Sequence, residues 1–144
     1  MALSHQYLVD KSAWVQQAYS KAARSRIELL RASRRLCVCS VTAAELLYSS
    51  RNADEMEADV GDLSLLGRLH IDAGVEERVT GNMKQLAARG QHRAPSIADL
   101  FVAAVASVHH ATVLHYDKDF ELIAGATGQR HEWVIPRGAG HGRD

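Results

Sequence analysis

The chain has 144 residues, 47% of them apolar, which suffices for one hydrophobic core and points to a single domain. Seventeen Lys and Arg balance seventeen Asp and Glu, so no global basic surface marks it as a nucleic-acid binder, and any such contact must be local. No run approaches the roughly 18 apolar residues of a membrane span, and the N-terminus lacks the basic and long apolar regions of a signal peptide, so a cytoplasmic protein is expected.

The net charge conceals a gradient. Residues 1–50 carry seven Lys and Arg against three Asp and Glu, residues 51–100 six against nine, and residues 101–144 four against five. Gln6-Tyr7-Leu8-Val9 reads as a short strand that ends at Asp10. A helix is expected over 12–19 and a second over 20–34. The second carries Lys21, Arg24, Arg26, Arg31, Arg34 and Arg35. These basic residues are either a solvated face or a contact to an RNA backbone, with Arg24 among the candidates.

Leu36-Cys37-Val38-Cys39 is a continuous apolar run of the kind found in central parallel strands. Its two cysteines are too close for an unstrained bridge and lack the second pair of a zinc site, so they read as small buried hydrophobes. Thr42-Ala43-Ala44-Glu45 has the form of a capping box and opens a helix through about residue 51. Residues 53–69 read as another helical stretch, His70-Ile71 as a short strand, and 75–89 as a helix with Val75, Val79, Met83 and Leu86 on one face. His92 and Arg93 lie in the loop that follows, an ordinary polar loop or a phosphate contact.

The stretch from Arg93 to Val108 dominates the second half. Pro95 and Ser96 mark a helix start, and the residues that follow are apolar on nearly every side, as in a buried helix. Asp99 is the only Asp, Glu, Lys or Arg between Arg93 and Asp117. Burying an unpaired carboxylate is costly, so Asp99 is either the N3 member of a capping box with Ser96 or part of a compensated site. Thr112-Val113-Leu114-His115 is a strand ending at Tyr116-Asp117-Lys118-Asp119. A short helix follows to about residue 124, and Trp133-Val134-Ile135 is the last strand. Residues 1–136 form the expected domain, and 137–144 a polar, Gly-rich tail expected to be disordered.

Strands alternating with helices predict an α/β sandwich with a mostly parallel sheet, whose ligand site lies beyond the carboxyl ends of the strands. Asp10, Glu45, Asp99, Asp117 and Asp119 all fall at strand ends or helix starts, which share that edge. Each could be a helix cap on its own. Gathered together, two carboxylates about 4 Å apart repel by roughly 4 kcal/mol at an effective dielectric near 20. Without a lysine among them they need raised pKa values or a hard divalent cation. Oxygen ligands favour magnesium or manganese, and magnesium commonly meets phosphates. The chemistry expected is phosphodiester hydrolysis, in which the cation lowers the pKa of a water and stabilises charge during in-line attack. Asp10, Asp99 and Asp117 are the expected direct or water-mediated ligands. Glu45 would hold a water or a second ion, and Asp119 assists or caps.

Leu8-Val9-Asp10, Ala43-Ala44-Glu45-Leu46, Ser96-Ile97-Ala98-Asp99-Leu100-Phe101 and Val113-Leu114-His115-Tyr116-Asp117-Lys118-Asp119 together resemble the four acidic motifs of PIN-domain ribonucleases, in the order and chain length of VapC toxins. The resemblance implies a three-layer α/β/α sandwich and magnesium-dependent endoribonuclease activity on structured RNA such as tRNA or rRNA. It also implies a homodimer and neutralisation by a VapB-type antitoxin. It carries the catalytic and metal-binding roles to Asp10, Glu45, Asp99 and Asp117, with Asp119 as accessory. In one departure, His115 stands where the family often has Thr or Ser two residues before the fourth acid. It either supports the carboxylates from behind or is a plain strand-end side chain. The competing readings are a non-catalytic module with the same fold and a DNA-directed nuclease. A phosphorylated receiver is disfavoured, because Cys39 rather than an acid ends the central run.

Overall fold

The computed structural model describes residues 5–141. In chain order the elements are β1 (Tyr7–Val9), α1 (Lys11–Trp14), a 3-10 turn (Val15–Ala18), α2 (Lys21–Ala32), β2 (Leu36–Val38), α3 (Ser40–Tyr48), α4 (Ala53–Ser64), β3 (Gly67–Arg68), α5 (Ala73–Ala87), α6 (Ile97–Val108), β4 (Thr112–His115), α7 (Asp119–Thr127) and β5 (His131–Trp133). The five strands form one sheet in the order β3-β2-β1-β4-β5, and every pairing is parallel. No helix among the described residues is long and apolar enough to cross a membrane.

Strand periodicity builds the two outer layers. Successive side chains of a strand point to opposite faces. Leu8, Cys37 and Val113 accordingly join one buried cluster with Val75, Val79 and Leu86 of α5, Leu100 and Val105 of α6, and Phe120 and Ile123 of α7. Val9, Leu36, Val38 and Leu114 join the other, with Ala13 of α1, Ile27 and Leu30 of α2, Ala43 and Leu46 of α3, and Leu63 of α4. The result is the expected three-layer sandwich. Within α6, Val102, Ala103, Ala104, Val105 and Ala106 are fully buried. Each buried valine contributes about 1.5–3 kcal/mol, and the small alanines let the helix lie close against its neighbours. Cys37 and Cys39 are both buried and unbridged, as expected of small core residues.

Three local expectations are corrected. First, α3 begins at Ser40 rather than after Thr42, so no capping box forms. Thr42 is fully buried beside Cys39, and Glu45 falls in the second turn. Second, the strand expected at 70–71 lies at 67–68, where it pairs with Cys37 and Val38. Gly67 permits that approach, since a Cβ there would meet Cys37 Sγ at 3.2 Å. Third, the last strand is 131–133 instead of 133–135. Its ladder must match β4, which runs from Val113↔His131 to His115↔Trp133 and stops where the site begins.

The basic residues of α2 divide by partner. Arg26 is bound to Glu132 at 2.8 Å and to the Trp133 carbonyl at 2.8 Å, tying α2 to β5. Just past the helix, Arg35 donates to the His5 carbonyl and lies over the Tyr7 ring. Of the segment read as a tail, residues 137–141 fold back over the domain. The Tyr116 hydroxyl accepts the Gly138 and Gly140 backbone N–H groups at 3.0 and 2.8 Å. The buried Gln16 amide bonds both the N–H and the carbonyl of His141. Residues 142–144 lie outside the described residues.

Candidate active site

The order of the sheet places β1 beside β4, the point where successive connections leave in opposite directions. In open α/β sheets this is where a crevice opens. Asp10 follows β1, Asp117 and Asp119 follow β4, Asp99 sits in the first turn of α6 and Glu45 on α3. All five line one cleft of about 220 Å³, together with Lys11, Ser12, Val15 and Ser96. The five acids singled out in the sequence thus line one cleft. The sequence reading left out Lys11, one cation against five carboxylates.

Asp10 is the most tightly held. It is the N-cap of α1, and its Oδ2 accepts the Ser12 N–H at 3.0 Å and the Ser12 hydroxyl at 2.6 Å. Its backbone N–H donates to the Leu114 carbonyl. Its Oδ1, by contrast, is buried with no hydrogen-bond partner among the described residues. Burial pushes the Asp10 pKa up to about 6; the Ser12 bonds oppose that shift, while the fields of Glu45 and Asp117 add to it.

Asp99 shows that half of the expected capping box exists. The Ser96 hydroxyl accepts the Asp99 N–H at 3.1 Å. The reciprocal bond is absent, because the Ser96 N–H points to Asp119 Oδ2 at 3.4 Å. The Asp99 carboxylate is therefore not used up by its own helix end. Burial holds its pKa well above the usual carboxylate range, with Asp10, a hydrogen bond to Asp119 and the charge of Asp117 adding to the rise.

Asp117 and Asp119 are linked through their own turn, in which Asp117 Oδ1 accepts the Asp119 N–H at 2.9 Å. Carboxylate oxygens of Asp99, Asp117 and Asp119 all lie within 4.8 Å of one another. Asp10 and Glu45 line the same cleft without joining that close set, and Asp119 takes a more central place than the accessory one expected for it.

His115 is fully buried. Its ring does not reach the carboxylates. Nδ1 accepts the Asp117 backbone N–H at 3.1 Å, and Nε2 lies 2.9 Å from His131 Nδ1. An accepting Nδ1 places the ring proton on Nε2, which then donates to His131. Burial, and secondarily the neighbouring His131, lowers the His115 pKa to about 3, so the ring is neutral. Phe120 and Trp133 flank it, each with its ring centroid 4.9 Å away.

Sequence reasoning missed Ser12. Its hydroxyl donates to Asp10 and accepts the Tyr116 N–H at 2.8 Å, joining the ends of β1 and β4. The Asp-x-Ser spacing of an Asx turn was the available signal. His92 and Arg93 are exposed in the loop before α6, and Arg24 on α2 donates to the Gln17 carbonyl in the preceding 3-10 turn. None of these three lines the cleft.

The donor set is oxygen throughout. It contains a desolvated Oδ1 without a partner and carboxylates whose mutual repulsion is uncompensated by the single Lys11. Such a set fits a hard divalent cation, for which Asp99, Asp117 and Asp119 are spaced and which Asp10 Oδ1 could reach directly or through water.

A parallel three-layer sandwich with this acid cleft defines a PIN domain, and residues 7–126 match that domain. Ribonuclease VapC18 of Mycobacterium tuberculosis is 35% identical over 134 residues, covering 92% of this chain and 97% of its own length. Ribonuclease VapC51 of the same organism is 36% identical over 132 residues, with 92% and 95% covered. The chain belongs to the VapC ribonucleases of the PIN-domain family. In fold it is similar to VapBC2 from Rickettsia felis, solved bound to a promoter DNA fragment (TM-score 0.74, 19% identity, 88% of this chain and 97% of that one).

Proposed function

We propose that this chain is the toxin of a VapBC-type pair, a magnesium-dependent endoribonuclease that hydrolyses phosphodiester bonds in structured RNA such as tRNA or rRNA. The observation that carries the reading is the buried Asp10 Oδ1, without a hydrogen-bond partner among the described residues, in a cleft shared with Glu45, Asp99, Asp117 and Asp119. Asp10, Asp99 and Asp117 are the proposed cation ligands, directly or through water. Asp119 joins them on the strength of its spacing to Asp99 and Asp117. Glu45, half-exposed on α3, orients a water or takes a second ion. Manganese, with the same preference for oxygen donors, substitutes for magnesium.

Bound there, a divalent cation would supply a lowered water pKa and neutralisation of charge developing on the phosphate. The chain's own residues do the rest. Ser12 fixes the Asp10 carboxylate, Ser96 fixes the start of α6, and His115 holds the turn that carries Asp117. Lys11 gives the incoming phosphate a cation at the rim. His92, Arg93 and Arg24 stand farther out, as contacts for the flanking RNA.

The partner is a VapB-type antitoxin, as in the VapBC complexes this fold resembles. The toxin acts in the cytoplasm as a homodimer, on the strength of its family. The test is cleavage of a total RNA pool by wild type and Asp99→Asn, with magnesium and with chelator. Cleavage by wild type alone, and only with the cation, supports the reading. A wild type that cuts single-stranded DNA and leaves RNA intact overturns it in favour of a DNA nuclease. A wild type that binds RNA without cutting it overturns it in favour of a binding module.

A further inference from the structure

Next to the acid cleft lies a second, larger hollow of about 490 Å³, lined by Ala94, Lys118, Asp119, Glu121, Leu122 and Arg137. The two share Asp119 as a common wall. A chain that leaves the cleft past Asp119 enters the hollow. Its aliphatic lining comes from Ala94 and the half-buried Leu122, and the rest of the lining is charged.

The charges sort in an informative way. Glu121 is fully committed: Oε1 accepts the Trp133 indole N–H at 2.9 Å and Oε2 accepts Arg137 at 3.2 Å. Arg137 also lies over the Trp133 ring, 5.6 Å from its centroid. These contacts cancel Glu121 and hold the guanidinium in place while about half of its side chain remains exposed. Asp119 faces the acid cleft and belongs to its carboxylate set. Lys118 is exposed and makes no ion pair among the described residues. The hollow thus has an aliphatic lining, one lysine outside any ion pair among the described residues, one guanidinium held against an aromatic ring, and a carboxylate, Asp119, that it shares with the cation cleft.

Arg137 is at the rim because the segment after β5 is tied down. The Tyr116 hydroxyl holds Gly138 and Gly140, and Gln16 holds His141. There is no slack in this arrangement, since a Cβ on Gly140 would lie 2.7 Å from Tyr116 Cζ. Tyr116 is itself anchored to the site through Ser12. The same two residues that tie β1 to β4 therefore also set the position of Arg137.

We infer that this hollow is a nucleotide subsite, which takes the unpaired RNA nucleotide next to the scissile phosphate. Leu122 and Ala94 would meet the face of its base, and Lys118 and Arg137 its flanking phosphate. The inference rests on the endoribonuclease reading for the position of the scissile phosphate. The assignment follows from adjacency and chemistry: apolar side chains receive the face of a base outside a stack, and lysine and arginine receive phosphates.

The test measures binding separately from cleavage. A labelled single-stranded RNA of about ten nucleotides, within the length such grooves hold, is titrated with Asp99→Asn protein in magnesium and followed by fluorescence anisotropy. Adding Arg137→Gln or Lys118→Gln should weaken binding roughly three- to tenfold and lower the salt slope by about one. Arg78→Gln, whose parent side chain is bound to Ser107 at the far end of α6, should bind as the background does. An abasic site should weaken binding to the background protein at one position only, and that penalty should shrink when Arg137→Gln and Lys118→Gln are combined. Unchanged affinity in both variants, or a loss no greater than that of Arg78→Gln, overturns the subsite. The two readings fail separately. Cleavage of RNA by wild type with no binding loss in the variants removes the hollow alone. Selective binding loss with no wild-type cleavage removes the nuclease reading and leaves an RNA-binding hollow.

Discussion

The Ser12 hydroxyl donates to Asp10 Oδ2 at 2.6 Å while accepting the Tyr116 backbone N–H at 2.8 Å. One side chain thereby joins a carboxylate after β1 to the exit of β4. Ser12→Ala removes both bonds and leaves a buried N–H unpaired. The expected cost is about 1–3 kcal/mol, read as a lower urea midpoint with unchanged slope. Because the Ser12 bonds hold the Asp10 pKa down, the same variant should need a higher pH for half-maximal cation binding.

Asp99→Asn separates a ligand from a cap. The bond that caps α6 runs from the Asp99 backbone N–H to Ser96 Oγ, so it survives the substitution. The side chain loses a carboxyl whose ionisation burial and the neighbouring carboxylates already oppose. Cleavage should fall by on the order of a hundredfold or more, as for loss of a group that stabilises charge in the transition state. The cation-free Tm should stay level or rise. A large drop in Tm with cleavage retained would make Asp99 a structural residue and remove it from the site.

These two substitutions mark where sequence reasoning succeeded and where it stopped. The acids were legible because strand ends and helix starts of a parallel sheet share one edge, so local pattern implied convergence. The helix start was legible at Ser96, whose side chain does cap. The start of α3 was not, because Thr42 serves the core and the helix simply continues out of Cys39. Ser12 could not be ranked without knowing that Tyr116, 104 residues later, would lie against it. The glycines after Pro136 read as flexible, yet Gly140 is small because Tyr116 leaves no room for a side chain. A tertiary contact made that composition necessary, and composition alone could not reveal it.

Raised carboxylate pKa values give the cation-free protein a defined pH dependence. A carboxyl whose folded pKa is above its unfolded value binds protons more tightly when folded. Its contribution is fully present below the unfolded value of 3.8 and is lost as pH rises through the folded value, about 6 for Asp10. The contribution at stake is on the order of 3 kcal/mol. His115 acts in the opposite sense, since its lowered pKa makes acid destabilising. A difference measurement isolates the acid term. Without cation, Asp10→Asn should gain stability over wild type between pH 5 and pH 8. Magnesium should raise the wild-type Tm more at pH 8 than at pH 5, because at the lower pH it competes with protons. A Tm difference that is flat with pH would show that Asp10 is ionised throughout.

The His115–His131 pair makes a prediction about a proton position. With Nδ1 accepting from the Asp117 N–H, His115 must carry its proton on Nε2, and His131 Nδ1 must be the acceptor. Nitrogen-15 spectra of the imidazoles should show His115 as the neutral Nε2–H tautomer down to at least pH 5, with its pKa far below the usual 6.5. His115→Gln should loosen the turn, seen as faster amide exchange at Asp117 and Asp119, and should weaken magnesium binding several-fold without moving the pH profile. A His115 that titrates near 6.5 would mean that the ring is solvated and does not hold Asp117.

Gly140→Val tests whether the segment after β5 is part of the site's support. The new Cβ would stand 2.7 Å from Tyr116 Cζ and 2.8 Å from Gln16 Oε1, both on buried side chains. Neither can move away freely, since Tyr116 fills core between α1 and β5 and Gln16 is bound to His141. The segment must therefore lift, giving up the bonds to the Tyr116 hydroxyl and the stacking of His141 on Tyr19 at 4.0 Å. The expected loss is about 1–3 kcal/mol, the usual range for overpacking. Exchange protection should drop at residues 138–141 and at Ser12 and Tyr116 together. If protection drops at 138–141 alone, the segment is a passive cover, and the chain from Gly140 through Tyr116 to Ser12 and Asp10 does not transmit order to the acids.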